Sequence, residues 1–246
     1  MIRRILNLIA PDNIYCISCG CFIDESRAYS LCNSCMEHIH WNTGRTCSIC
    51  GKALYDTYAG DICYDCTENR HLFDRGFSCV DYGLLERTMI MNFKYGGRTY
   101  MGRKMAEMMA DRISGTDEQF DLIVPVPIHR KRRDERGFNQ AEILASGLAG
   151  RIGVRYNDRI LVRTRETAAM KSLSAVERRE NLRGVFCVPE KYRGSAEGRN
   201  ILLVDDIYTT GATADACSQV LKEAGASKCF IYSFASAPNK RIEYEG

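Results

Sequence analysis

Ile201-Leu-Leu-Val-Asp205-Asp206-Ile-Tyr-Thr209-Thr210-Gly211-Ala212-Thr213 is the stretch that decides how this chain is read. Residues 201–204 are an unbroken apolar run, the kind of strand found inside a parallel sheet. Two carboxylates follow, then a short loop rich in Thr and Gly. A helix is expected over Thr213–Ala224, ended by Gly225. Backbone N–H groups at a helix N-terminus are unpaired and sit at the positive end of the helix dipole. Gly211 lets the backbone come close to an anion, and the hydroxyls of Thr209, Thr210 and Thr213 add donors. The stretch reads as a phosphate cradle at the carboxyl end of a strand, where open α/β sheets bind ligands. Asp205 and Asp206 repel a phosphate but suit sugar hydroxyls or a hydrated Mg2+. The loop lacks the Gly-Lys-Ser/Thr ending of an ATPase P-loop, so that mode of nucleotide binding is not expected. A Thr-capped helix with no ligand is the blander alternative; the acidic pair and buried strand in front weigh against it.

The flanking segments alternate strand and helix. Strands are expected at Phe77–Tyr82, Leu122–Val126 and Cys229–Phe234, and helices at Leu84–Met91, Met101–Ile113 and Ala141–Ile152, the last closed by Gly153. Such alternation implies βαβ units and a parallel sheet covered on both faces.

The front of the chain obeys a different rule. Nine of the 13 cysteines lie between Cys16 and Cys66. Eight form Cys-x-x-Cys pairs: Cys16/Cys19, Cys32/Cys35, Cys47/Cys50 and Cys63/Cys66. Adding 31 to the positions of the first four gives the second four, so the segment is an internal repeat. Each unit offers four thiolates to a tetrahedral ion, a closed structural Zn2+ site with no room for a reacting water. Consecutive pairing follows the repeat; interleaved pairing is the alternative. A disulfide framework is disfavoured because no export signal is visible at the start of the chain. Cys21, next to Gly20, falls outside the pattern and could serve as a spare ligand.

The chain has 246 residues, with 34 Lys and Arg against 31 Asp and Glu, and no apolar run of membrane-spanning length. It is expected to be cytoplasmic and not an integral membrane protein. Residues 1–75 carry a net −2 and residues 76–246 a net +5. A division into a metal-held module, 1–75, and a larger α/β domain, 76–246, is the natural reading. The basic residues between His129 and Arg136 lie near the expected phosphate site, where they could serve pyrophosphate or a nucleic-acid backbone.

Val204–Thr213 resembles the phosphoribosyl-pyrophosphate (PRPP) signature of type I phosphoribosyltransferases. The run from Val124 through Pro127, His129, Arg132, Arg136, Gly137, Phe138 and Asn139 to Ala141 resembles the ComF family. So do Asn92-Phe-Lys94-Tyr95-Gly-Gly and Arg178-Arg-Glu-Asn181-Leu, and a cysteine-rich front end fits that family as well. The resemblance implies a type I phosphoribosyltransferase-like α/β parallel sheet flanked by helices, preceded by a small double zinc-ribbon module. It implies PRPP bound with Mg2+, two structural Zn2+ ions, and a part in DNA uptake with single-stranded DNA or competence proteins as partners. Asp205 and Asp206 would be the catalytic pair on the ribose hydroxyls. Thr209, Thr210, Gly211, Ala212 and Thr213 would hold the 5-phosphate. Pro127, Ile128, His129 and Arg130, with Arg132 and Arg136 of the basic run, would face the pyrophosphate. The segment between Leu161 and Phe186 resembles the mobile loop that closes over PRPP in related amidotransferases, with Met170 where many relatives have Gln. Three readings of function follow: transfer of phosphoribosyl to an acceptor, non-catalytic binding of PRPP, single-stranded DNA or both, or a zinc-ribbon adaptor on a degenerate scaffold.

Overall fold

The computed structural model describes residues 14–56, 58–167 and 175–239. The two copies of the cysteine repeat fold alike. In each knuckle the leading cysteine donates its N–H across the turn, Cys16 to the Cys21 carbonyl (2.8 Å) and Cys47 to that of Lys52 (2.7 Å). Gly20 and Gly51 close the knuckles at φ +77° and +73°, a left-handed backbone that favours glycine. Each trailing pair opens a short helix: Cys32 precedes α1 (Asn33–His38), and Cys63 precedes α2 (Tyr64–Glu68).

Beyond the ribbons lies a five-stranded sheet in the order β1-β7-β6-β2-β3, with every neighbouring pair parallel. The strands are β1 (Arg75–Asp81), β2 (Leu122–Pro125), β3 (Arg155–Tyr156), β6 (Asn200–Tyr208) and β7 (Lys228–Ser236). A separate antiparallel pair, β4 (Val162–Arg163) and β5 (Phe186–Cys187), flanks the sheet. The helices are α3 (Leu84–Tyr95), α4 (Thr99–Ile113), α5 (Arg130–Arg136), α6 (Gln140–Ile152), α7 (Ala175–Leu182) and α8 (Ala212–Glu223). This is the expected parallel sheet with flanking helices behind a cysteine-rich module.

Side-chain alternation divides the core into two layers. Leu202 and Val204 of β6 pack with Met89, Phe93, Met105, Met109, Leu144 and Leu148 of α3, α4 and α6. Ile201 and Leu203 face the other way, with Cys217 and Leu221 of α8 and Phe186 of β5. The ribbons divide in the same manner. The first joins the α4 side, where the Tyr29 hydroxyl donates to Asp111 Oδ2 (2.7 Å), and the second joins the α8 side. The methionines of α4 are core residues, as their helical spacing predicts.

Two differences from the sequence reading bear on the site. β6 runs to Tyr208 rather than stopping at Val204, because β7 continues alongside it and pairs Ile207 with Ala235 and Tyr208 with Ser236. The basic run after Pro127 is a short helix, α5, with a left-handed Gly137 at its end. Met170, which stands where many relatives have Gln, falls outside the described residues.

The second ribbon touches β1 backbone to backbone. Gly76 N–H donates to the Ile49 carbonyl (2.7 Å). A Cβ on Gly76 would lie 2.5 Å from the Cys50 carbonyl oxygen, and one on Gly51 would lie 2.4 Å from that of Gly76. Main chain cannot rotate away as a side chain can. Gly76→Ala is therefore expected to destabilise the protein by about 2–3 kcal/mol, read as a lower midpoint in urea unfolding. An unchanged midpoint would show that the ribbon docks loosely.

Candidate phosphate site and metal centres

Four sulfurs, those of Cys47, Cys50, Cys63 and Cys66, converge within 4.8 Å of one another, all buried. The Cys50 and Cys63 sulfurs stand 3.5 Å apart. A tetrahedron with Zn–S bonds of about 2.3 Å has edges of about 3.8 Å, so the set fits a four-thiolate Zn2+ site. Cys63 N–H also donates to Cys47 Sγ (3.2 Å), as it would to a metal-bound thiolate. The first group gathers Cys16, Cys19, Cys21 and Cys32, with Cys19 and Cys32 sulfurs 3.8 Å apart. Cys35, counted as the fourth ligand from the repeat, is buried beside this group, and its N–H donates to Cys32 Sγ (3.4 Å). Five thiols thus share the first site, because the tight knuckle at Gly20 turns Cys21 back toward Cys16. In both modules consecutive pairs share a centre. Two zinc ions per chain are expected on metal release with a thiol-blocking mercurial, and one after Cys63→Ser; two in that variant would contradict the second centre.

The carboxyl ends of β2 and β6 lie side by side. Pro125 is paired with Val204, and Val126 N–H donates to the Val204 carbonyl (2.9 Å). The segment Pro127–His129 therefore sits next to the acidic pair. Asn139 anchors it: its amide donates to the Val126 carbonyl (3.1 Å), and its oxygen caps α6 by accepting from Ala141 N–H (3.1 Å). His129 caps α5, Nδ1 accepting from Lys131 N–H (3.4 Å). Much of the basic charge on α5 is already answered. Arg130 approaches Asp134, Lys131 approaches Glu166, and Arg133 pairs with Glu142. Arg136 donates to Gln140 Oε1 (3.0 Å) and lies over the Tyr95 ring.

Alternation sends Asp205 and Asp206 to opposite faces of β6, and two cations that spacing in the sequence did not identify act on them. Lys94, near the end of α3, reaches Asp206 Oδ2 with Nζ at 2.8 Å. Arg163 of β4 lies in the field of Asp205 and Arg132; burial lowers its pKa, Arg132 lowers it further, and Asp205 opposes both. Lys94 stood in the quoted Asn92–Gly97 motif, but only folding sets it against a carboxylate.

Gly211 opens α8 at φ +80°, and the first intrahelical bond runs from Asp215 N–H to the Gly211 carbonyl (2.8 Å). The N–H groups of the preceding turn face out of the helix end. Thr210 Oγ1 is buried without a hydrogen-bond partner among the described residues. A left-handed glycine, a helix N-terminus and an unsatisfied buried hydroxyl fit an anion with oxygen acceptors.

Burial pushes the Asp205 carboxyl up to about 7, and the neighbouring Asp206 charge adds to the effect. The Asp206 N–H bond to Asp205 Oδ1 (2.8 Å), Lys94 and Arg163 oppose it. A carboxyl with a raised native pKa binds its proton more tightly in the folded state. Its contribution is greatest below the unfolded value near 4 and is lost as pH rises to about 7. Asp205→Asn removes the buried charge. It is expected to raise Tm by about 2–5 °C at pH 8 and by much less at pH 5. A Tm gain equal at both pH values would remove the charge from the explanation.

The family of double zinc ribbon domains matches residues 5–67. The chain is 27% identical over 230 residues to competence protein F of Haemophilus influenzae, covering 92% of this chain and 98% of that protein. It is 27% identical over 220 residues to the DNA utilization protein YhgH of Escherichia coli K12, covering 82% and 93%. It is 30% identical over 203 residues to competence protein ComFC of Bacillus subtilis, covering 79% of each chain. With the two cysteine centres in front and the parallel sheet behind, these similarities place the chain in the ComF family.

Proposed function

We propose that the protein binds PRPP at the carboxyl end of β6 and acts in the uptake of DNA. The observation that carries the PRPP reading is the run Asp205–Thr213: two carboxylates near the end of β6, then a left-handed Gly211 that opens α8 beside a Thr210 hydroxyl with no partner among the described residues. Asp205 and Asp206 accept from the ribose hydroxyls. Thr209, Thr210, Gly211, Ala212 and Thr213 hold the 5-phosphate at the helix N-terminus. Pro127–Arg130, with Arg132 and Arg136, faces the pyrophosphate. Mg2+, carried in with the pyrophosphate, would offset its charge.

Lys94 supports this assignment. Its pairing with Asp206 keeps two adjacent carboxylates compatible with one site in the absence of sugar. In a glycosyl transfer from PRPP, the chain would orient C1 and screen the departing charge. Such a transfer needs no covalent nucleophile.

The names of the relatives support the DNA reading: two are competence proteins and one a DNA utilization protein. Single-stranded DNA is the partner proposed for the basic surface around α5, although several of its cations are ion-paired within the protein. Among the described residues, no helix is long and apolar enough to cross a membrane.

Calorimetry with PRPP and Mg2+ tests the proposal. Wild type is expected to bind, and Asp205→Asn with Asp206→Asn to lose at least about 30-fold in affinity, as expected when charge-assisted hydrogen bonds to two hydroxyls are lost. No binding by wild type, or equal binding by the double variant, would overturn the site assignment.

A further inference from the structure

His71 carries no recognisable pattern in the sequence, yet it lies directly behind the phosphate loop. It follows α2 of the second ribbon in the short link to β1, and its side chain is only 1% exposed. Nδ1 faces Asp215, 3.0 Å from Oδ2 and 3.2 Å from Oδ1. A carboxylate only accepts, so Nδ1 bears the hydrogen and donates. Leu72 N–H donates to the same carboxylate (2.8 Å). On the other side of the ring, Nε2 stands 3.5 Å from the Tyr208 hydroxyl. The ring stacks on Phe73, centroids 4.7 Å apart.

Two consequences meet at one loop. The first is steric. A Cβ on Gly211 would fall 2.6 Å from His71 Cε1 and 2.6 Å from the Tyr208 hydroxyl. Gly211 is glycine both for its left-handed backbone and because His71 and Tyr208 fill the space behind it. The second is electrostatic. Asp215 lies in the first turn of α8, the same helix end that would receive the phosphate. A carboxylate there is favoured by the helix dipole and competes with a bound anion for it. His71 and Leu72 N–H engage both oxygens of Asp215, leaving the N–H groups at the start of α8 to the ligand.

We infer that His71, supplied by the second ribbon's link, is a positioning residue for the phosphate loop: its Nδ1–H holds Asp215 and its ring backs Gly211, so that α8 accepts a sugar phosphate. The inference rests on the PRPP reading of the site. It assigns the second ribbon's link a part in ligand binding, in addition to the ribbon's role in holding metal.

The test is binding of ribose 5-phosphate, with inorganic phosphate as a second probe, by calorimetry on the full chain. His71→Ala is expected to weaken ribose 5-phosphate by about tenfold or more, while two zinc ions per chain are retained. The combination His71→Ala with Asp215→Asn is expected to regain most of that loss, because the carboxylate left without its imidazole donor is gone. A role in packing alone would leave the double variant as weak as the single one, and that result would overturn the inference. So would wild-type affinity in His71→Ala. If His71→Ala does not fold, His71→Gln and its pairing with Asp215→Asn give the same comparison with a smaller cavity. Failure of wild type to bind either probe would instead count against the PRPP reading, which separates the two outcomes.

Discussion

The pairing of β6 on both edges is the constraint from which the site follows. Held between β2 and β7, the strand cannot slip by one residue without moving every apolar side chain to the wrong layer. Its register therefore sets which face each carboxylate takes. Asp206 shares parity with Leu202 and Val204 and meets Lys94 from α3. Asp205 shares parity with Ile201 and Leu203 and lies in the field of Arg163. Two adjacent acids become two differently compensated groups, and the less solvated one holds its proton to about pH 7.

The same two-layer logic organises the metal module. A segment of this size has little core of its own and depends on metal and on docking. Each ribbon is covered by a different layer of the sheet domain, so the module straddles the β1 edge. The glycine contact between Gly51 and Gly76 permits this closeness for the second ribbon. It also brings Lys52 to Asp65, with Lys52 Nζ 5.7 Å from the centre of the Tyr208 ring, so the ribbon reaches the residue that leads into the phosphate loop. Lys52 occupies the repeat position of Cys21. One knuckle position thus carries a thiol at the first metal centre and a buried cation at the second.

Much of this protein is legible along the chain. The 31-residue offset between cysteine pairs declares two metal centres, because two residues between cysteines let one turn present both sulfurs to the same ion and the unit occurs twice. The run 201–213 declares a strand, an acidic pair and an anion cradle, because all three are local. Element positions around it were also readable from apolar spacing, although β6 proved longer than its apolar run, since pairing with β7 rather than hydropathy carries it to Tyr208.

What the chain alone could not show is every partner brought in from a distance. Lys94 lies more than a hundred residues before Asp206, Arg163 about forty before Asp205, and His71 is 144 residues from Asp215. Spacing named Cys21 only as a spare thiol; the fold brings its sulfur into the first group, beside Cys35. The local chemistry of metal and phosphate was determined by short-range covalent spacing. The charge balance of the site, and the backing of its loop, were decided by strand register and layer packing, which only the folded chain defines.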